Sequence, residues 1–249
     1  MTDRPRTARA LARQTLTRDI LDAARARLTD EGPTVLSLRA VARDVGMVSS
    51  AVYRYFPSRD ALLTALIIEC YDELGAAVEQ ADAACDRADR PGRWLAASRA
   101  LRGWSVEHPG EFALLYGTPV PGYAAPRDTV GPATRVVRTL IQVVVDAHAG
   151  GARPPVAAPG APDVTEVVAP ARAFVADRGL ADDAPTELVV RTLIAWTALF
   201  GTVSFELFGH LEGSVADGDG WFDAVAVRLG ADLGLSAEAI DATPARSGR

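Results

Sequence analysis

The stretch SSAVYRYFPSRDAL, residues 49–62, places one cation between two phenols, at Tyr53, Arg54 and Tyr55. An arginine can donate two hydrogen bonds to the edge of one guanine, and tyrosine hydroxyls can bond phosphate oxygens. A helix face that only meets water more often carries Glu, Lys or Gln. These residue types therefore favour contact with the groove of a nucleic acid over a plain solvated face.

A helical projection of the same stretch separates an inner side from an outer side. At about 100° per residue, Val52 and Phe56 lie close together, and Arg54 lies almost opposite them. Ser50 and Ala51 lie on either side of Arg54, and the two tyrosines border this face. Because short side chains let a backbone approach a surface closely, we predict that Arg54 points outward from a groove-entering helix.

The elements around this stretch are predicted to be helices. Apolar residues recur every four positions over 16–28 and again on one stripe after Ser37, and Gly32 and Gly46 end these two segments. Ser49 is a candidate N-cap of a third helix that ends at Phe56-Pro57, and Ser58 begins a long fourth helix. Two short helices joined by a glycine turn, with a helix before and after, form a helix-turn-helix pattern.

Charge is unevenly distributed along the chain, whose net charge is −6. Residues 1–60 carry 11 Arg and 7 acidic residues, whereas residues 61–249 carry 15 Arg and 25 acidic residues. A basic end on an acidic body favours an anion-binding domain, 1–60, followed by a larger domain, 61–249. The leading segment 1–16 either extends the first helix, lies as a basic arm along a minor groove, or is a solvated tail; its arginines are Arg4, Arg6, Arg9 and Arg13.

The rest of the chain is also predicted to be helical, which makes the fold class all-α. We expect a break near His108-Pro109, a Pro/Gly/Ala loop at 151–162, and an interruption at Pro170. The uncharged stretch 192–205 is shorter than the roughly 20 residues of a membrane span and indicates a buried helix. With no signal-peptide pattern and only Cys70 and Cys85 as thiols, a reducing cytoplasm is expected.

Residues 36–66 resemble the DNA-binding segment of the tetracycline-repressor (TetR) family. The resemblance lies in an ordered set: Ser37, Val41-Ala42, Gly46, Tyr53-Arg54-Tyr55-Phe56, Arg59 and Leu62. Ala51, Tyr55 and Arg59 stand where the family often has Gly or Thr, His, and Lys. A weaker similarity, Trp196 to Gly201, is to the Trp-His-Gly class of TetR C-terminal domains, with Phe200 in place of the histidine.

The resemblance implies a homodimer that binds palindromic operator DNA and a small-molecule effector. Base contacts would come from Ser49, Ser50, Ala51 and Arg54. Phosphate and backbone contacts would come from the second and third helices and the start of the fourth, at Ser37, Arg39, Tyr53, Tyr55 and Arg59. The last two long helices would form the dimer interface, and the protein would most simply be a repressor released by its effector.

Candidate effector-binding residues are the aromatic side chains of the larger domain, although most helical aromatics only fill a core. They are Trp104, Phe112, Tyr116, Phe174, Trp196, Phe200 and Phe205. Glu206 and His210 stand one turn apart, but without a third ligand we favour a surface pair over a metal site. Cys70 and Cys85 are expected to be buried apolar residues unless a thiol pKa is depressed.

Two other classes of function compete with a regulator. The sequence contains no phosphate-binding glycine loop, nucleophile motif or metal cluster, so an enzyme is not expected, and neither is a cofactor. A helical small-molecule carrier without DNA binding is the closer alternative, and the groove-facing residues argue against it.

Overall fold

The computed structural model describes residues 8–155, 160 and 162–235. Across those ranges the regular structure is helical and no strand is found, which confirms the all-α prediction. The helices are α1 Ala8–Glu31, α2 Leu38–Asp44, α3 Ser49–Val52, α4 Arg59–Ala83, α5 Arg90–Glu107, α6 Pro109–Tyr116, α7 Val130–Ala133, α8 Arg135–Ala149, α9 Ala169–Asp177, α10 Thr186–Leu207 and α11 Gly218–Asp232. Short 3₁₀ turns at Pro33–Val35 and Arg127–Thr129 precede α2 and α7.

The chain divides into two compact units. Unit 1 consists of the residues up to Glu73 together with Ser105–Ala133, and unit 2 of Leu74–Trp104 together with the residues from Thr134 onward. The divisions fall inside α4, inside α5 and between α7 and α8. They separate compact units, and the functional domains 1–60 and 61–249 stay a prediction. Unit 1 is larger than the predicted DNA-binding segment because a later piece of the chain returns to it.

The core of unit 1 follows the apolar stripes of the sequence. In α1, Ile20, Ala24 and Leu28 are fully buried, as the spacing of four predicts. They pack in one cluster with side chains from α2, α3 and α4: Val41, Val52, Leu62, Leu63 and Leu66. A helix-turn-helix of so few residues depends on this cluster, because isolated helices of one or two turns are not stable in water.

Helix α6 is the returning piece, and it joins unit 1 through a close approach to α1. A Cβ atom at Gly110 would lie 2.8 Å from the backbone nitrogen of Thr29 and 2.9 Å from the carbonyl carbon of Leu28. Only glycine fits at that crossing. The break between α5 and α6 is at His108-Pro109, as predicted, with Pro109 in the first turn of α6.

Buried polar contacts join the helices of unit 2. The indole Nε1–H of Trp94 in α5 donates to the carbonyl oxygen of Ala226 in α11 at 2.8 Å. Arg93 is completely buried, and its guanidinium donates to Asp82 of α4 and to Asp146 of α8, each at 2.7 Å. These bonds hold α4, α5, α8 and α11 together through groups that cannot be left unpaired without a large cost.

Two expectations about later segments change. Pro170 does not interrupt a helix but lies in the first turn of α9, where its missing N–H and fixed φ are tolerated. Of the predicted loop 151–162, residues 151–155, 160 and 162 lack helix, whereas 156–159 and 161 lie outside the described residues.

Helix α10 is long and apolar enough to cross a membrane by length and composition, within the described part of the chain. The core helix of a globular unit meets the same criterion. Only part of α10 lies in the core, because Leu199 and Val203 are fully buried whereas Ile194 and Phe205 are more than half exposed, and one charge on it is buried and paired. The charge is Arg191, which donates to Glu187 at 2.6 Å and also to Asp232 of α11.

Candidate nucleic-acid interface

The turn between α2 and α3 is fixed by backbone hydrogen bonds. The N–H of Gly46 donates to the carbonyl of Arg43 at 3.1 Å, and the N–H of Met47 donates to the carbonyl of Ala42 at 2.8 Å. Gly46 has a φ of 66°, so this is the paired-bond helix ending that favours glycine. The turn therefore directs the chain into α3 without depending on side-chain contacts.

Helix α3 is shorter than predicted. Its α-helical part is Ser49–Val52, and Val48 rather than Ser49 is the N-cap. Beyond Val52 the backbone tightens, because Arg54 and Tyr55 donate to carbonyls three residues back, at 3.2 Å and 2.9 Å. The residue before a proline is disfavoured in helical geometry, which explains why the last turn changes before Pro57.

The exposure of the side chains in α3 and in the tighter turn that follows it agrees with the helical projection. Val52 is fully buried and Phe56 nearly so, and both belong to the core cluster of unit 1. Arg54 and Ser50 are exposed, and Tyr53 is 45% exposed. The half-buried Ser49 and Ala51 complete a surface of short residues around one arginine. The contacts of these residues with bases stay a prediction.

Tyr55 has a more internal position than the other tyrosine of the motif. It packs partly against the core cluster, and the guanidinium carbon of Arg13 lies 5.3 Å from the centre of its ring. An Nη atom of Arg13 is also 3.5 Å from the carbonyl oxygen of Arg54. The basic leading segment therefore extends α1 from Ala8 onward, with Arg9 exposed, while Arg4 and Arg6 lie outside the described residues.

Arg59, predicted to meet a phosphate, also has partners inside unit 1, and its phosphate contact stays a prediction. Its guanidinium donates to three backbone carbonyls of the segment before α2: Leu36 at 2.8 Å, Thr34 at 3.0 Å and Pro33 at 3.1 Å. These bonds use Nε and one Nη of Arg59 and tie the start of α4 to the start of α2. The geometry gives Arg59 a positioning role inside unit 1.

Two further residues predicted to contact DNA, Ser37 and Arg39, lie at the start of α2. Ser37 is the N-cap of α2, as predicted, but it caps with its backbone carbonyl, which accepts the N–H of Val41 at 3.0 Å. No side-chain capping bond forms there, so the hydroxyl of Ser37 stays available. Arg39 is exposed, and no ion pair to another described residue is found for it.

The candidate effector-binding aromatics are divided between the two units. Phe112 and Tyr116 belong to unit 1, where their ring centres are 5.1 Å apart, and the other five belong to unit 2. Within unit 2, Trp196 and Phe200 meet edge to face at 6.2 Å, while Phe205 is 54% exposed. The role of each residue in ligand binding stays a prediction.

A polar groove of about 230 Å³ lies in unit 2, and no predicted aromatic residue lines it. Its charged walls are Glu79 and Asp82 of α4 and Arg135 and Arg138 of α8. Arg135 donates to both carboxylate oxygens of Glu79, at 3.0 Å and 2.6 Å, and this hydrogen bond lowers the pKa of the Glu79 carboxyl. Much of the charge that lines the groove is therefore already neutralised by ion pairs.

The Glu206 and His210 pair also has local partners. Both carboxylate oxygens of Glu206 accept hydrogen bonds from Arg102, at 2.6 Å and 2.7 Å, and His210 packs against the ring of Phe205. Among the described residues, no group of three or more His, Cys, Asp or Glu side chains is placed to hold a metal ion.

The two cysteines have different surroundings. Cys70 is fully buried in α4, and this burial raises the pKa of its thiol to about 12. Cys85 follows the end of α4 and is half-buried, with its Sγ 3.5 Å from the carbonyl oxygen of Ala81. A thiol that stays protonated is a poor nucleophile, so Cys70 has the character of a core residue.

One residue of this surface was missed by reasoning from the sequence. Val48, directly before α3, is 71% exposed and stands next to Ser49 and Ser50. The available signal was an apolar residue at a helix start, where a polar N-cap is the rule.

Comparison with known families finds one matching profile near the start of the chain and a second in its later part. A profile described as "Bacterial regulatory proteins, tetR family" matches residues 20–66. A second profile, described as "Tetracyclin repressor-like, C-terminal domain", matches residues 94–229.

Similar proteins agree with these assignments, and solved structures share the fold. The HTH-type transcriptional regulators Rv1816 of Mycobacterium tuberculosis and Mb1846 of Mycobacterium bovis are each 40% identical over 212 residues, covering 80% of this chain and 83% of the relative. The crystal structure of a regulatory protein, SCO4313, is 33% identical with a TM-score of 0.67, covering 90% of this chain and 98% of that one. RolR, solved with resorcinol, shares the fold at 17% identity and a TM-score of 0.51, over 93% and 94% of the two chains.

Proposed function

Because the chain belongs to the TetR family of bacterial transcriptional regulators, we propose that it is a homodimeric repressor released from DNA by a small molecule. Each subunit would place α3 in the major groove of one half of a palindromic operator. The observation that carries the proposal is the exposed surface at α3, where Arg54 stands among Ser49, Ser50 and Ala51 above a fully buried Val52.

The proposed contact of each residue on this surface, with a base or with a phosphate, follows from the chemistry of its side chain. Arg54 would donate to a base edge, and the hydroxyls of Tyr53 and Ser37 would bond phosphates. The exposed Arg39 would supply a phosphate contact that depends on salt. Tyr55 is supported by its contact with the core and with Arg13, so its ring would orient Arg13 toward the DNA backbone.

Dimerisation is supported by an open apolar stripe on α10. Ile194 is 52% exposed, Phe205 is 54% exposed, and the two stand three helical turns apart on one side of the helix. Between them, a Cβ atom at Gly201 would meet nothing within 4 Å. A second copy of α10 could approach closely along this stripe, as the family resemblance implies for the last two long helices.

The effector is proposed to bind in unit 2. RolR, of the same fold, has been solved with resorcinol, which supports a small organic ligand for this type of domain. Trp104, Phe174, Trp196, Phe200 and Phe205 are the candidate contacts in unit 2, and Phe112 and Tyr116 of unit 1 also stay candidates. We also retain the prediction that this domain is of the Trp-His-Gly class, with Phe200 in place of histidine.

The cellular setting and the competing functions follow from family membership. We propose that the chain acts in the cytoplasm and not in a membrane, that it is a regulator and not an enzyme, and that it needs no cofactor. A carrier that has lost DNA binding is the remaining alternative, and it predicts no salt-dependent interaction with any duplex.

The test is selection of duplexes from a random library by the purified protein, followed by binding titrations at two salt concentrations. We expect a palindrome, and we expect Arg54→Ala to relax preference at one base pair of each half-site, by the roughly 1–3 kcal/mol typical of a bidentate base contact. Arg18→Ala, which removes an exposed arginine of α1, is the matched control and should keep the preference. Binding without any preferred sequence, or no binding, would refute the proposal.

A further inference from the structure

Val48 is an apolar residue that does not contribute to the core of unit 1. The nearby Val45 and Met47 pack against the core cluster of unit 1, whereas Val48 does not and is 71% exposed. Single exposed apolar residues are common on proteins. The position of this one, at the start of the helix proposed to enter the groove, makes its exposure informative.

A second observation at the same residue is its failure as a helix cap. Val48 is the N-cap of α3, and no side-chain capping bond forms there. Ser, Thr, Asn or Asp would accept a hydrogen bond from the first turn and stabilise so short a helix. The N-cap of α9, Val168, is apolar too, but it is buried, so the combination of an apolar N-cap and high exposure distinguishes Val48 from it.

We propose that Val48 is a specificity residue that contacts the C5-methyl group of a thymine in each half-site. This inference rests on the proposed entry of α3 into the major groove. Thymine is the standard base that presents a methyl group there, and apolar side chains recognise it. Valine suits the contact because its branched side chain has few rotamers, so little freedom is lost on binding.

The surroundings of Val48 allow that approach. Ser49, Ser50 and Ala51 follow it and have short side chains, so they leave room for the backbone to come near the bases. The N–H of Ala51 donates to the carbonyl of Val48 at 2.9 Å, which fixes the backbone from which the valine projects. A short, stiff side chain can then reach a base edge.

The experiment replaces thymine by deoxyuridine, one half-site position at a time, in the selected operator. This change removes only the methyl group and keeps base pairing. For the wild-type protein we expect one position at which affinity falls about fourfold, the effect of exposing one buried methyl group. Val48→Ser should bind the thymine and deoxyuridine duplexes equally, while its melting temperature stays at or above the wild-type value because serine caps α3.

Val35→Ser is the matched control, since Val35 is also exposed in unit 1, at 54%, but lies in the 3₁₀ turn before α2. It should keep the wild-type ratio of affinities. The proposal is overturned if Val48→Ser keeps that ratio too, if no deoxyuridine weakens wild-type binding, or if the operator half-sites contain no thymine. Failure to select any operator would instead refute the repressor proposal itself, and Arg54→Ala would then show no effect.

Discussion

Arg59 illustrates how one residue type can serve two roles that a sequence does not distinguish. An arginine at the start of α4 can meet phosphate, or it can bond backbone carbonyls of its own unit. The partners in the structure are carbonyls 23 to 26 residues earlier in the chain. Every residue has a carbonyl, so no sequence pattern marks these three as acceptors. The exposure of Arg54, by contrast, agrees with helical spacing, although its backbone lies in the tighter turn after α3.

Arg59→Ala should therefore act on stability and not on electrostatics. We expect a lower melting temperature and weaker binding to all duplexes alike, with an unchanged slope of log affinity against log salt. Arg39→Ala is the comparison, and it should lower that slope by about one phosphate contact while leaving stability intact. A reduced salt slope for Arg59→Ala would return Arg59 to the phosphate contacts.

Burial of Cys70 leads to a prediction about thiol reactivity and pH. The folded protein should react with a thiol reagent at Cys85 and not at Cys70 until it is unfolded. The raised pKa stabilises the folded chain fully below pH 9. This contribution is lost as the pH rises from about 9 to 12, because only the unfolded chain then releases the proton. Cys70→Ala should flatten that part of the stability profile, and rapid labelling of native Cys70 would contradict the assignment.

The positions of the helices could be predicted from the sequence, but the helices that each one packs against could not. The spacing of Ile20, Ala24 and Leu28 in α1 and the proline at the start of α6 each have a local signal. That α6 joins unit 1 has none, because Gly110 looks like any glycine until the backbone it crosses is known. Pro170 shows the same limit, because the sequence does not distinguish a proline that interrupts a helix from one in the first turn of a helix.

Gly110→Ala tests the crossing of α1 and α6. Since the new methyl group would press on the backbone of Leu28 and Thr29, we expect a loss of about 1–3 kcal/mol in the free energy of unfolding. Gly103→Ala is the control in α5, where a Cβ atom meets nothing within 4 Å. There alanine should be neutral or should stabilise by up to about 1 kcal/mol. Denaturant titration gives both values, and equal effects would contradict the packing argument.

Two ion pairs of α5 test how burial changes the value of a charge. Arg93→Ala leaves the 11% exposed side chain of Asp82 with only Arg87, so we expect a loss of about 3 kcal/mol. Arg99→Ala breaks a pair with Asp223 in which the arginine is 57% exposed, and the loss should be under about 1 kcal/mol. The same denaturant titration measures both, and a similar cost for the two variants would refute the ranking.

For the whole molecule, the open stripe on α10 predicts a specific change of assembly. Phe205→Glu should convert a dimer to a monomer in light scattering and weaken operator binding by about 100-fold or more, because the two half-sites are then bound independently. Val167→Glu is the matched control, since Val167 is 75% exposed in unit 2 but lies outside α10. A dimer that survives Phe205→Glu would place the interface elsewhere.

Because Cys85 is more accessible than Cys70, the protein can be labelled at one site per subunit without any substitution. A spin label directed at thiols would attach at Cys85, once per subunit, and leave Cys70 untouched. A dimer would then carry a single pair of labels, and one distance distribution would follow it through operator binding and release. Candidate effectors could be ranked by their shift of that distribution, without a single engineered residue.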